Sequence, residues 1–98
     1  MSELTLEEAV LERLRSVIDP ETNTDVVRMR LIEHLWTDAL GKVRYIFRPS
    51  SFVVPIAVSL AMEIKKAVAE VPGVKSQEIA VEGYMAAENL EELINQEI

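Results

Sequence analysis

Val10, Leu11, Leu14, Val17 and Ile18 recur at three- and four-residue spacing, the mark of a helix with one apolar face. The helix is predicted to start at Thr5, because Thr5 and Glu8 stand at the spacing of a capping box. It is predicted to end near Ile18, since Asp19 precedes Pro20 and a residue before proline is pushed out of helical backbone. Glu21 to Asp25 is a polar connection. Val27, Met29 and Leu31 then alternate with Arg28 and Arg30, as on a half-buried strand. The Leu31-Ile32 pair breaks the alternation and predicts a bulge or short turn at that point. Beyond it, Ile32, His34 and Trp36 are expected on one face of a second strand, with Glu33 and Leu35 on the other. Asp38 to Lys42 contains Gly41 and suits a hairpin loop. Val43, Tyr45 and Phe47 alternate with Arg44, Ile46 and Arg48 to give a third strand.

Pro55 fits the first turn of a helix, where its missing N–H costs nothing. Ile56, Leu60, Ile64, Ala67, Val68 and Val71 fall on one face of that helix, and Glu63, Lys65, Lys66 and Glu70 mark the wetter side. Pro72-Gly73 ends it. Val74 to Val81 reads as a last strand and Gly83 as a turn. Met85 to Glu97 reads as a short acidic helix with Ala86, Leu90, Leu93 and Ile94 as its apolar stripe. The order helix, strands, helix, strand, helix predicts an α+β fold: a small mixed sheet of three to four strands covered by two helices, plus a short C-terminal helix. Residues 1–98 are read as a single domain, with 84–98 as a C-terminal helical extension.

Charge changes this picture in one place. The net charge of −7 argues against a nucleic-acid partner. Residues 1–27 hold two bases and seven acids, residues 28–48 five bases and two acids, and residues 49–98 three bases and eight acids. The middle segment is therefore a basic island. Arg28, Arg30, Lys42, Arg44 and Arg48 are either solvated strand positions pairing with the acidic helices, or in part an anion or partner site, for which Arg48 and Arg30 are the candidates. The chain has no cysteine, which removes disulfides, thiolate metal ligands and a cysteine nucleophile. No leader-like segment is read in Ser2 to Glu12, and the apolar stretch Phe52 to Met62 is too short to span a bilayer. A cytoplasmic protein without a membrane partner is expected.

Candidate chemistry gathers around FRPSSFVVPIA, residues 47–57. A helix N-terminus favours anions, and Arg48, Ser50 and Ser51 precede this one. The plainer alternative is that Ser50 or Ser51 caps the helix. Asp19 and Glu21 flank Pro20, and a solvated turn would account for them. His34, a single histidine, reads as a surface or interface residue, and Trp36 as core or interface. No Ser-His-Asp arrangement or Gly-rich phosphate loop is present, and one histidine does not make a catalytic zinc site. No catalytic residue, resident metal or cofactor is assigned, and the chain is expected not to be an enzyme.

Four segments, VLERLRSVIDPE, DVVRMRLI, KVRYIFRPSSFVVPIA and IKKAVAEVPGVK, resemble the small iron–sulfur assembly domains of the MIP-eighteen, PaaD-like and SufT-like group. The resemblance runs over about residues 9–83, and rests most on Asp19-Pro20-Glu21 and on Val71-Pro72-Gly73-Val74-Lys75. It implies the α+β arrangement above and a part in delivering or assembling clusters through contacts with other proteins. The family's loop before the second helix reads threonine-threonine-proline-any-cysteine-proline, or a variant with serine. By that resemblance the hydroxyls fall on Ser50 and Ser51, the first proline on Phe52, the cysteine on Val54 and the last proline on Pro55. Arg30 stands where the family has glycine. Phe52, Val54 and Arg30 thus depart from the pattern at one site, in a scaffold without its reactive group.

These readings lead to a non-catalytic accessory or adaptor protein that acts through protein contacts without binding a cluster. Its cleft would comprise Asp19, Pro20, Glu21, Ser50, Ser51, Val54 and Pro55. The implied partners are iron–sulfur assembly components or apo-protein clients. The alternative is a small anion- or ligand-binding domain using the helix N-terminus at Ser50 to Pro55. A homodimer through strand edges or the terminal helix stays open. Exposed Val53 and Val54 would favour docking of a protein, and buried ones a polar pocket.

Overall fold

The computed structural model describes residues 4–50, 54–83 and 87–95, with residues 54 and 87–89 described by their backbone only. The elements run α1 (Leu6–Leu14), β1 (Ile18–Asp19), β2 (Thr24–Asp25), β3 (Ile32–Thr37), β4 (Lys42–Phe47), α2 (Val54–Ala69), β5 (Ser76–Val81) and α3 (Ala87–Asn95). The fold is α+β, as expected, with two sheets. β1 and β2 make a two-residue antiparallel hairpin. The larger sheet has the order β3-β4-β5, antiparallel between β3 and β4 and parallel between β4 and β5.

α1 begins with the predicted capping box. The Thr5 hydroxyl accepts from the Glu8 N–H at 3.1 Å, and the Glu8 carboxylate accepts from the Thr5 N–H at 2.9 Å. Those bonds to Thr5 hold the Glu8 carboxyl below the usual carboxylate range. α1 ends four residues earlier than the apolar spacing suggests. Val10, Leu14 and Val17 are buried, but Ile18 has left the helix to pair with Asp25, and its side chain is exposed.

Val26 to Arg30 corrects the first predicted strand. The segment is a helical turn started by Asp25, whose carboxylate accepts from the Arg28 N–H at 2.9 Å and whose carbonyl accepts from the Met29 N–H at 3.0 Å. The turn closes with Leu31 N–H on the Val26 carbonyl and Arg30 N–H on the Val27 carbonyl, at 3.0 and 3.1 Å. That pair of bonds is a Schellman closure, which places its penultimate residue in the left-handed region. Arg30 occupies that place with φ 58°. Apolar residues two apart can serve one helical turn as well as a strand when the run is this short.

The bulge also moves. β3 pairs with β4 at Ile32↔Phe47, Glu33↔Ile46, Trp36↔Arg44 and Thr37↔Val43, with the irregularity between Glu33 and Trp36. His34 and Leu35 therefore oppose a single residue, and His34 takes φ 54°. The extra residue exchanges the expected faces of the residues beyond it, Leu35 and Trp36. Ile32 and Leu35 pack on the core, while Glu33 and Trp36 share the outer face with Arg44 and Ile46.

Val43, Tyr45 and Phe47 of β4 and Ile79 and Val81 of β5 are buried in one core with Val10 and Leu14 of α1 and Leu60, Ile64 and Val68 of α2. Each such side chain contributes about 1.5–3 kcal/mol by leaving water. Leu90 and Ile94 of α3 join this core, whereas Leu93, expected on the same stripe, is 42% exposed. Lys65, expected on the wet side of α2, is buried, and its ammonium donates to the Ile94 carbonyl at 2.6 Å. A cation there also meets the negative end of α3. The Tyr45 hydroxyl donates to Gln77 at 2.8 Å, and Gln77 donates to the Lys65 carbonyl at 2.9 Å. Burial pushes the Tyr45 hydroxyl's pKa far up.

Gly41, in the β3–β4 loop, carries φ 82°, and a Cβ there would lie 2.3 Å from the Gly73 carbonyl. The Gly41 carbonyl in turn accepts from the Lys75 N–H at 2.8 Å, so the hairpin loop sits on the chain entering β5. Gly41→Ala is expected to lower unfolding free energy by about 2 kcal/mol or more. Thr5→Ala should cost about 1 kcal/mol by loss of the cap. Urea titration at neutral pH checks both. The Glu8 contribution, set by a depressed carboxyl pKa, should be present at neutral pH and lost as pH falls through the acid range.

Candidate functional site

The chain brings Asp19 and Ser50 together from opposite ends of its first half. Asp19 is the second residue of β1 and has no exposed surface. Its Oδ1 accepts from the Glu21 N–H at 3.1 Å. Its Oδ2 accepts from the Thr22 hydroxyl at 3.2 Å and from the Ser50 hydroxyl at 2.8 Å. Its carbonyl accepts from the Asn23 N–H at 2.8 Å. Pro20 removes a donor and fixes the chain direction, while Asn23, with φ 57°, is a residue type that tolerates the left-handed turn. A buried carboxylate is costly unless its oxygens are bonded, and here both are.

This geometry unites two parts of the expected cleft: the Asp19-Pro20-Glu21 turn and the loop leading into α2. Pro20, Glu21 and Ser50 are exposed around the buried carboxylate, and Pro55 is exposed in the first turn of α2. Ser50 donates to Asp19. Ser51, Phe52 and Val53, and the side chain of Val54, lie outside the described residues, and so does the expected cap of α2 by Ser51. Thr22 was not singled out by the sequence reading. Its signal was present in the three-residue spacing from Asp19, at which a hydroxyl can turn back onto a carboxylate.

Arg48 is bound on both sides. Its guanidinium donates to the Glu33 carboxylate, and to Glu82 at 2.8 Å. Glu33 comes from β3 and Glu82 from just beyond β5, so Arg48 clamps the two outer strands at the end of the sheet where the candidate loop begins. Elsewhere on the outer face, Arg44 pairs with Glu78 at 2.8 Å and stacks over Trp36 at 5.6 Å, and Lys42 lies 3.8 Å from Glu78. Lys42, Arg44 and Arg48 of the basic island thus pair with acids of the sheet and its margin, where the acidic helices were expected to do so. Arg28 and Arg30 are exposed and make no ion pair among the described residues.

The donor set of the cleft is oxygen only: the carboxylates of Asp19 and Glu21 and the Ser50 hydroxyl. Iron–sulfur clusters are held chiefly by thiolates, and the chain has none. The residues present do not fit a resident cluster. No group of three or more metal-binding side chains is found among the described residues, and no described helix is long and apolar enough to cross a membrane.

Comparison with known proteins agrees with this scaffold. Residues 7–81 match the family described as iron–sulfur cluster assembly protein. The Fe–S protein maturation auxiliary factor YitW of Bacillus subtilis is 32% identical over 79 residues, covering 81% of this chain and 78% of that protein. An uncharacterised protein of Methanocaldococcus jannaschii is 29% identical over 93 residues, covering 95% of this chain and 98% of the other. The crystal structure of a domain of unknown function from Bacillus anthracis shares the fold, with a TM-score of 0.70 at 24% identity over 91% of this chain and 87% of that one. The match spans both the buried Asp19 turn and the loop that it anchors, and on it the chain belongs to the iron–sulfur cluster assembly protein family.

Proposed function

We propose that this chain is a non-catalytic accessory factor of iron–sulfur cluster maturation that works through contacts with other proteins and holds no cluster of its own. The observation that supports this reading is the pairing of a preserved scaffold with a missing ligand. Asp19 still anchors the loop through Ser50, yet the chain carries no thiol. The name of the relative YitW, a maturation auxiliary factor, points the same way. The contact surface comprises the exposed rim of the cleft, Pro20, Glu21, Ser50 and Pro55, with Ser51 and Val54 as further candidates. α3, which lies beyond the family match, is a further contact candidate. The partners are assembly components or apo-protein clients in the cytosol.

The alternative, an anion site at the start of α2, has less support. Arg48, the cation that precedes it in the chain, is engaged by Glu33 and Glu82, and the Ser50 proton is directed at a carboxylate. Arg30 is the better candidate for a partner contact. It holds a left-handed backbone conformation that glycine adopts without penalty and that costs another residue about 1–2 kcal/mol. An exposed arginine at such a position calls for a reason outside the fold.

Two measurements test these readings. Anaerobic reconstitution with iron and sulfide should leave the purified chain colourless, and capture from native cytosol should enrich iron–sulfur assembly components or their clients. Stoichiometric iron on the chain, or capture without any such protein, would contradict the proposal. Arg30→Gly should leave stability unchanged or raise it by up to about 1 kcal/mol, and should weaken capture of the same proteins. Equal capture by the variant would remove Arg30 from the contact surface.

A further inference from the structure

The β5 edge is closed in an unusual way. In a ladder, the N–H and C=O of alternate residues point to opposite sides of the strand. Beside β5 the Glu82 N–H donates to the Phe47 carbonyl, so the backbone groups of the alternate residues Ile79 and Val81 point away from β4, toward the side where a further strand would pair. No strand lies there among the described residues. Two side chains of α3 take its place. The Ile79 N–H donates to Asn95 Oδ1 at 3.1 Å, and Asn95 Nδ2 donates to the Ile79 carbonyl at 2.8 Å. The Val81 N–H donates to Glu91 Oε2 at 3.0 Å. One Asn95 amide thus exchanges with Ile79 the same two bonds that a residue on an antiparallel neighbour would exchange. A third Asn95 bond, from Nδ2 to the Glu91 carbonyl at 2.7 Å, fixes the amide on its own helix.

We propose that α3 guards the β5 edge: Asn95 and Glu91 occupy the backbone groups through which β5 would otherwise pair with the β5 strand of a second copy of this chain. An unpaired edge is a template for pairing with another chain. The sequence of β5 suits a self-pairing about Ile79. Ile79 would then face its own counterpart, Gln77 would face Val81, and Glu78 would face Ala80. No glutamate of the strand would oppose a glutamate, so charge does not prevent the pairing, and a two-fold axis closes it at two chains. What prevents it is α3, held by the buried Leu90 and Ile94, by the Lys65 bond to the Ile94 carbonyl, and by the two edge-binding side chains. This inference does not depend on the maturation reading.

The test uses the full-length chain with Asn95→Ala, Glu91→Ala and both together. Amide hydrogen exchange is followed residue by residue, and association by sedimentation velocity over a concentration series. In dilute solution, Asn95→Ala should speed exchange at Ile79 and Glu91→Ala at Val81, each by up to about tenfold for one lost hydrogen bond. Protection in β4 should persist and report an intact fold. At high concentration the double variant should dimerise while the wild-type chain stays monomeric, and protection at Ile79 and Val81 should return. A double variant that stays monomeric throughout, or that associates with those two amides still exchanging fast, overturns the proposal. If β4 protection is lost in the double variant, Asn95→Ala alone is read by the same criteria.

Discussion

The Asp19 carboxylate is the constraint around which the first half of the chain is arranged. With no surface left to water, it must have its oxygens bonded inside the protein or lose several kcal/mol. The Glu21 amide, the Thr22 hydroxyl and the Ser50 hydroxyl meet that demand. In doing so they fix the β1–β2 turn and tie it to the loop ahead of α2. Removing the carboxylate would cost all three of these bonds at once, so the turn and the loop are coupled through one residue.

The sheet is stabilised differently on its two faces. Toward α1 and α2 it is apolar, with Phe47, Val43 and Tyr45 almost fully buried. The outer face carries the ion pairs of Arg44 with Glu78 and of Arg48 with Glu33 and Glu82. Most of these groups are more than a third exposed, and each pair contributes at most about 1 kcal/mol. Their effect is more on register than on stability, since each links neighbouring strands at a fixed offset. α3 is held by a mixed set: two buried apolar side chains, one buried ammonium and two side chains bonded to the β5 backbone.

The family scaffold and the absent thiol separate two roles that one site can combine. Asp19 and Ser50 are bonded to each other, and the donor chemistry around them is oxygen only. Arg30 is exposed at a backbone position better suited to glycine.

The sequence by itself determined the helices, the β3–β4 hairpin, β5 and the family resemblance, because apolar spacing, proline and glycine act locally. Thr5 with Glu8, Gly41 and Pro72-Gly73 each did in the structure what their positions implied. Val26 to Arg30 was misread as a strand because two-residue alternation in so short a run does not separate a strand from one helical turn. The bulge at His34 was misplaced because the extra residue is defined only by what lies opposite it on β4. Lys65 was assigned to solvent because its burial depends on where α3 ends. The ion pairs of Arg48, the Ser50–Asp19 bond and the Asn95 clamp on β5 join residues 15 to 34 positions apart. Local pattern carries no information about such pairs. Only the closure of the chain on itself decides which donor meets which acceptor.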